Sequence, residues 1–306
     1  MRRREIIITA LAAAFVVAAT PGAHPQAWGA TKPEAVVSVN LCADELVLRL
    51  SHPGQVKSVT WLARDSLASS VAALADELPV NRGLAEEIVP LSPDLVVAGI
   101  YTTRMSVAFL KRLGIPVMDL GVPGTLGEVR DQIREVAAAL GNEGAGAAMI
   151  ADLDAALKED ISADARPEDD NPEIDVAKPT ALVLRPNGFT AGRGSLVDTL
   201  LTRAGLLNLA AELQTDRLGQ LPLERIVTAK PDVLIINADR QAPASMAQAL
   251  LDHPALADIK ATATVVEVPT RLWTCAGPQL VEAMDILKSA AEQARARLIS
   301  QPEAVQ

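Results

Sequence analysis

Residues 86–100 read EEIVPLSPDLVVAGI, and residues 224–238 read ERIVTAKPDVLIINA. Glu, Ile, Val, Pro and Asp stand in register in the two stretches, and an apolar run follows each. The local reading is a short helix that stops ahead of a proline, since the residue before proline is pushed out of the α region. A buried strand then follows, because a short apolar run bounded by turn signals suits one. Solenoids need three or more repeats. Two copies this far apart imply two similar lobes instead.

The same alternation extends outward from both copies. VVSV at 36–39, the stretch QVKSVTWLA from Gln55, the DLVVAGI of the first copy and GIPVMDL from Gly114 predict strands, with helices over 44–50 and 103–113. In the second half TALVL, the apolar run of the second copy and TVVEV predict strands. Helices are predicted near 245–251 and from Pro278 to Leu298. Strand and helix in alternation require crossover connections and a mostly parallel sheet. Residues 126–160 are rich in Ala, Leu, Glu and Arg, and read as one long helix or two joined near Gly141–Gly146. Residues 162–178 are acidic and proline-rich with little to bury, which predicts a solvated loop.

Composition narrows the function. The 306 residues suffice for two domains, and a formal net charge of −10 argues against nucleic-acid or anionic-membrane partners, which need clustered Lys and Arg. Residues 1–30 carry three arginines, an apolar run from Ile6 to Ala19 and then small residues. That is the pattern of a secretory signal peptide, with cleavage between Ala27 and Ala30, so the protein is expected in the periplasm. The alternative, an N-terminal membrane anchor, would need a longer run of about 20 residues. The histidines are His24, His52 and His253, and none lies on a predicted cleft loop. This leaves little for a metal centre or a Ser–His–Asp triad, so no catalytic residue, resident metal or intrinsic cofactor is expected.

Ligands of open parallel sheets bind beyond the carboxyl ends of the strands. The residues that fall there include Asn40, Cys42, Trp61, Arg64, Tyr101, Arg185, Arg193, Arg271, Trp273 and Cys275. Arginine forks suit anionic oxygens, and the rings offer stacking faces. Together they describe a site for a large, partly anionic ligand. In AGRGS, Ser195 and Asp198 also make an S-x-x-D helix cap, with or without a ligand contact. Cys42 and Cys275 would look into one cleft from opposite lobes, either as free thiols, as a disulfide, or as thiolates on a soft metal.

VVSVNLCADELVLRL, the doubled E-x-I-V-x-x-x-P-D, TAGRGSLVDTLL and RLWTCAGPQLVEAMDIL resemble the class III periplasmic binding proteins of ABC importers. These serve ferric siderophores, cobalamin and haem. The resemblance spans about Val36 to Leu298. It implies an α/β protein of two lobes with mostly parallel sheets, joined by a long rigid backbone helix, with the ligand cleft between them. The expected boundaries are 34–123 for the N-terminal lobe, 124–161 for the linking helix, 162–178 for the acidic loop, which does not look like a feature of the family, and 179–300 for the C-terminal lobe and closing helix. It further implies a monomer that delivers a metal chelate to an inner-membrane ABC permease with its ATPase subunits. One Glu per lobe would dock on the permease, by motif position Glu86 and Glu224. The stretch before Glu86 has no aromatic ring, which weakens cobalamin and puts a ferric siderophore ahead of cobalamin or haem. The rival is a periplasmic enzyme of chelatase or hydrolase type on a similar two-lobe fold.

Overall fold

Strands that are apolar on both faces need cover on both faces, and here helices supply it. The computed structural model describes residues 32–102, 104–157, 178–213, 217–236 and 249–300. The first half runs β1 (Val36–Ser38), α1 (Leu41–Leu50), β2 (Val56–Thr60), α2 (Ala72–Ala75), β3 (Val80–Asn81), α3 (Ala85–Ile88), β4 (Leu95–Gly99), α4 (Arg104–Arg112) and β5 (Val117–Leu120). Its strands are all parallel, in the order β3-β2-β1-β4-β5. Every residue of β1 and β4 is buried. Val37, Val96, Ile88 and Leu110 pack together between this sheet and its helices. Each such buried side chain contributes roughly 1.5–3 kcal/mol relative to exposure.

Next come α5 (Leu126–Leu140) and α6 (Glu143–Leu157). The linking stretch is therefore two helices, not one unbroken rod. The chain turns at Gly141, whose left-handed backbone (φ 68°, ψ 37°) closes α5. The helices return antiparallel. Gly146 lies against Ala137 at one end, and Arg130 pairs with Asp154 at 2.8 Å at the other. α5 packs on α1 of the first lobe, and α6 on the last helix of the second.

The second half runs β6 (Thr180–Leu184), β7 (Phe189–Thr190), α7 (Leu196–Arg203), β8 (Leu207–Asn208), α8 (Leu209–Glu212), β9 (Gly219–Gln220), α9 (Leu223–Ala229), β10 (Val233–Ile236), α10 (Ala257–Thr262), β11 (Thr264–Glu267) and α11 (Leu280–Ser300). Four strands form a parallel sheet in the order β11-β10-β6-β8, and β7 pairs antiparallel with β9. Leu182, Ile226, Leu234 and Leu256 centre its core.

The repeated sentence occupies the same place in both lobes. α3 leads into β4, which pairs with the first strand β1; α9 leads into β10, which pairs with β6. Ile88 and Ile226 are both fully buried. The shared aspartates fasten the first strands. Asp94 accepts the backbone N–H groups of Glu34 (2.7 Å) and Ala35 (3.0 Å). Asp232 accepts those of Thr180, from its backbone N–H at 2.7 Å and its hydroxyl at 2.6 Å.

The expected signal segment at 1–30, residues 158–161 of the linking stretch, the acidic loop apart from Lys178, and most of the helix expected near 245–251 lie outside the described residues. No described helix is long and apolar enough to cross a membrane.

Candidate functional site

A cavity of about 330 Å³ opens between the lobes, beyond the carboxyl ends of their strands. The first lobe contributes Asn40 after β1, Gly99 to Tyr101 from the end of β4 onward, and Leu120 to Pro123 from the end of β5 onward. Gln132 reaches in from α5. From the second lobe come Arg185 after β6, Ser195 to Val197 at the head of α7, Arg217 with Leu218, and Trp273, Thr274 and Ala276 ahead of α11.

Local capping places several of these groups. Asn40 ends its extended stretch by turning its side-chain oxygen back on α1, where it accepts the N–H groups of Cys42 (3.0 Å) and Ala43 (3.4 Å). Only half of the box that the sequence predicts forms, because the Ser195 N–H goes to the Gly192 carbonyl and the Asp198 carboxylate turns to the residue ahead of the cap. The Ser195 hydroxyl accepts the Asp198 N–H at 3.1 Å, and the Asp198 carboxylate accepts the Gly194 N–H at 2.9 Å. Gln132 donates to the Gly121 carbonyl at 2.9 Å, which ties the linker to the loop after β5.

Arg185 is the electrostatic centre of the cavity wall. Its Nε is buried with no hydrogen-bond partner among the described residues. Desolvation pulls its pKa below the ordinary arginine value, yet a guanidinium stays charged at neutral pH. A partly buried charge with one N–H left unpaired is costly, so this wall favours an incoming anion. Trp273 is only 1% exposed, and its indole Nε1 likewise finds no acceptor among the described residues. The rim is apolar and open. Tyr101 is 75% exposed and Leu218 61%.

The lobes touch around this space. Thr199 donates to the Gly124 carbonyl at 2.6 Å, and Arg217 to the Val122 carbonyl at 3.4 Å. Cys42 and Cys275 are joined in a disulfide with their Cα atoms 5.0 Å apart.

Of the residues marked from sequence, Asn40, Cys42, Tyr101, Arg185 and Trp273 line the cavity, and Cys275 stands beside the lining residues Thr274 and Ala276. Four others lie outside its lining. Trp61 is half exposed on a 3₁₀ turn after β2. Arg64 donates to the carbonyls of Ala75 and Leu78, where it fastens the α2 segment. Arg193 pairs with Glu212 at 3.1 Å, and Arg271 with Glu282 at 3.5 Å. Glu86 and Glu224 are exposed on the first turns of the matched helices α3 and α9. Arg217 and Gln132 went unmarked. Arg217 sits in a stretch with no clear period, and Gln132 in a helix read only as a linker.

Known proteins agree with this geometry. The profile described as "Periplasmic binding protein" matches residues 36–265. A cobalamin-binding protein of Halobacterium salinarum is 28% identical over 258 residues, which is 83% of this chain and 68% of that protein. The periplasmic heme-binding protein RhuT from Roseiflexus sp. RS-1 superposes with a TM-score of 0.65 at 24% identity, over 86% of this chain and 99% of its own. A protein of an ABC-type Fe3+-hydroxamate transport system from Saccharomonospora viridis gives 0.61 at 20% identity, over 85% and 93%. With the matched lobes, the cleft between them and a profile that spans most of the chain, this protein belongs to the periplasmic binding protein family, the substrate-binding, non-enzymatic components of ABC importers.

Proposed function

We propose that the protein captures a metal chelate bearing an anionic group, a ferric siderophore before haem or cobalamin, and hands it to an inner-membrane ABC permease with its ATPase subunits. The observation that carries this reading is Arg185, a partly buried arginine in the cleft wall whose Nε is buried with no partner among the described residues. A charge-assisted hydrogen bond to a ligand oxygen would replace what burial removed. The cavity lies at the small end of ligand pockets, which run from about 300 to 1,000 Å³. A bulky chelate would place its charged part inside and rest its apolar part on Tyr101 and Leu218. The name of the Halobacterium relative favours cobalamin as the second reading.

Native mass spectrometry of the exported protein, followed by tryptophan-fluorescence titration with a ferric hydroxamate, haemin and cyanocobalamin, tests the ligand. Saturable one-to-one binding without turnover is the expected result, and no binding by any of the three would overturn the reading. Delivery has its own test. Glu86 and Glu224 hold matched, exposed positions, one per lobe, and would pair with permease arginines. The double variant Glu86→Ala, Glu224→Ala should bind ligand like the wild type yet fail to stimulate permease ATPase. Normal stimulation would sink the docking assignment.

A further inference from the structure

The chain has two cysteines, and they are bonded to each other across 233 positions. The placement matters more than the count. Cys42 sits on the first turn of α1 and lines the cavity from the first lobe. Cys275 comes from the second lobe, in the loop that supplies Trp273, Thr274 and Ala276 to the same cavity. The bond therefore staples neither lobe internally. It crosses the cleft at its wall.

The other described polar contacts across the cleft are of a different kind. The Thr199–Gly124 and Arg217–Val122 hydrogen bonds each contribute about 0.5–1.5 kcal/mol net, so thermal motion opens them. A disulfide instead requires its two Cα atoms to stay within about 7 Å. While it is intact, the backbones at 42 and 275 stay adjacent however the remaining contacts fluctuate. A bulky ligand, by contrast, needs the lobes to part.

We infer that the Cys42–Cys275 disulfide is a removable tie that limits how far the lobes separate and so governs the passage of bulky ligands into and out of the cavity. The inference rests on the cleft being the ligand site proposed above. Cys42 is partly exposed, whereas Cys275 is only 3% exposed, so attack comes at the Cys42 sulfur. One thiolate of a dithiol reductant bonds to Cys42 Sγ. The disulfide breaks, and Cys275 leaves as a thiolate and takes a proton. The second thiolate of the reductant then attacks its own partner sulfur and frees Cys42, which is protonated in turn. The reductant ends as a disulfide, having passed two electrons and two protons to the protein.

A reductant has no other disulfide to act on in this chain, which makes the experiment clean. Hydrogen exchange and stopped-flow binding are measured on the untreated protein, on the protein reduced with dithiothreitol and alkylated with a small reagent, and on the double variant Cys42→Ser, Cys275→Ser. If the serine variant fails to fold, the reduced protein carries the comparison. Exchange should quicken on reduction in the cleft segments 120–125 and 193–199 while β4 and β10 stay protected. Haemin, ferric hydroxamate or cyanocobalamin, whichever binds, should associate about tenfold faster with the tie removed, as expected when binding waits on opening. Unchanged exchange in the cleft segments would overturn the tie. Faster exchange spread evenly over both sheets would also overturn it, because that is the behaviour of a purely stabilising staple. Faster cleft exchange with unchanged association rates would overturn its control of ligand passage. No binding by any probe in any form would instead overturn the ligand reading, while the exchange data would still decide the tie.

Discussion

Ser92 and Lys230 hold the same left-handed backbone conformation at the same point of the two lobes, with φ/ψ of 47°/52° and 42°/60°. Each closes the helical segment of the repeat and precedes the proline and aspartate that open the next strand. Left-handed backbone costs a non-glycine residue roughly 1–2 kcal/mol, while glycine costs about 0.5–1 kcal/mol in lost chain freedom. Ser92→Gly and Lys230→Gly should therefore each raise stability, by up to about 1 kcal/mol. Urea midpoints read this directly. If both glycine variants melt at or below the wild type, the turn carries no strain worth relieving.

The aspartates two positions later should be far less tolerant. Asp94→Ala frees the N–H groups of Glu34 and Ala35, and Asp232→Ala does the same to Thr180. The freed N–H of exposed Glu34 turns to water, so the cost is that of the lost bonds to a carboxylate, at most about 1.5–3 kcal/mol each. Both variants should lose stability by that order, with Asp232→Asn retaining more than Asp232→Ala. Denaturation of the three variants side by side is the check.

Asp44 gives the pH dependence. Its carboxyl is fully buried on α1 and accepts the Thr60 N–H at 3.1 Å. Burial pushes its pKa from 3.8 up to about 6, against the pull of hydrogen bonds from Ser38 and Thr60, while neighbouring Glu45 adds to the rise. The folded protein thus binds this proton more tightly than the unfolded chain does. Its contribution to stability is greatest below about pH 4 and is lost as pH rises through 6. At about 1.4 kcal/mol per unit the cost above pH 6 reaches about 3 kcal/mol. Asp44→Asn carries no such charge. Its stability relative to wild type should improve by about 2–3 kcal/mol between pH 4 and pH 7. A gap that stays constant across that range would show that Asp44 does not titrate in this way.

The arginines separate by what they touch. Arg185→Met should weaken binding of an anionic chelate tenfold or more, since a charge-assisted bond contributes roughly 1.5–3 kcal/mol. Arg193→Ala and Arg271→Ala remove exposed ion pairs with Glu212 and Glu282, which contribute about 0–1 kcal/mol and lie outside the cavity lining. Their affinities should stay within threefold of wild type. The reverse ranking would move the ligand site.

The lobes were legible because a strand buried on both faces reads as an unbroken apolar run, and LVVAG and VLII are such runs behind the same Pro-Asp signal. The cleft residues Asn40, Tyr101, Arg185 and Trp273 were legible because strand ends are identifiable and ligands gather there. Side-chain direction was not. An arginine after a strand looks the same in sequence whether it faces the cleft, as Arg185 does, or turns to carbonyls nearby, as Arg64 does. Arg217 follows no strand of the repeat, so no pattern marked it. The glycines near 141 signalled a break in the linking helix, but a two-helix return depends on how close the helices can come.

That closeness makes residue 146 a lever. Built onto Gly146, a Cβ atom would stand 2.5 Å from that of Ala137, nearer than two carbons can sit. Alanine there would act as a wedge at the closed end of the hairpin and pry α6 away from α5. One arm of the hairpin leans on the first lobe and the other on the second. A single methyl group, placed well away from Arg185, would thus be converted into a change in the angle between the lobes, and the width of the cleft would report it.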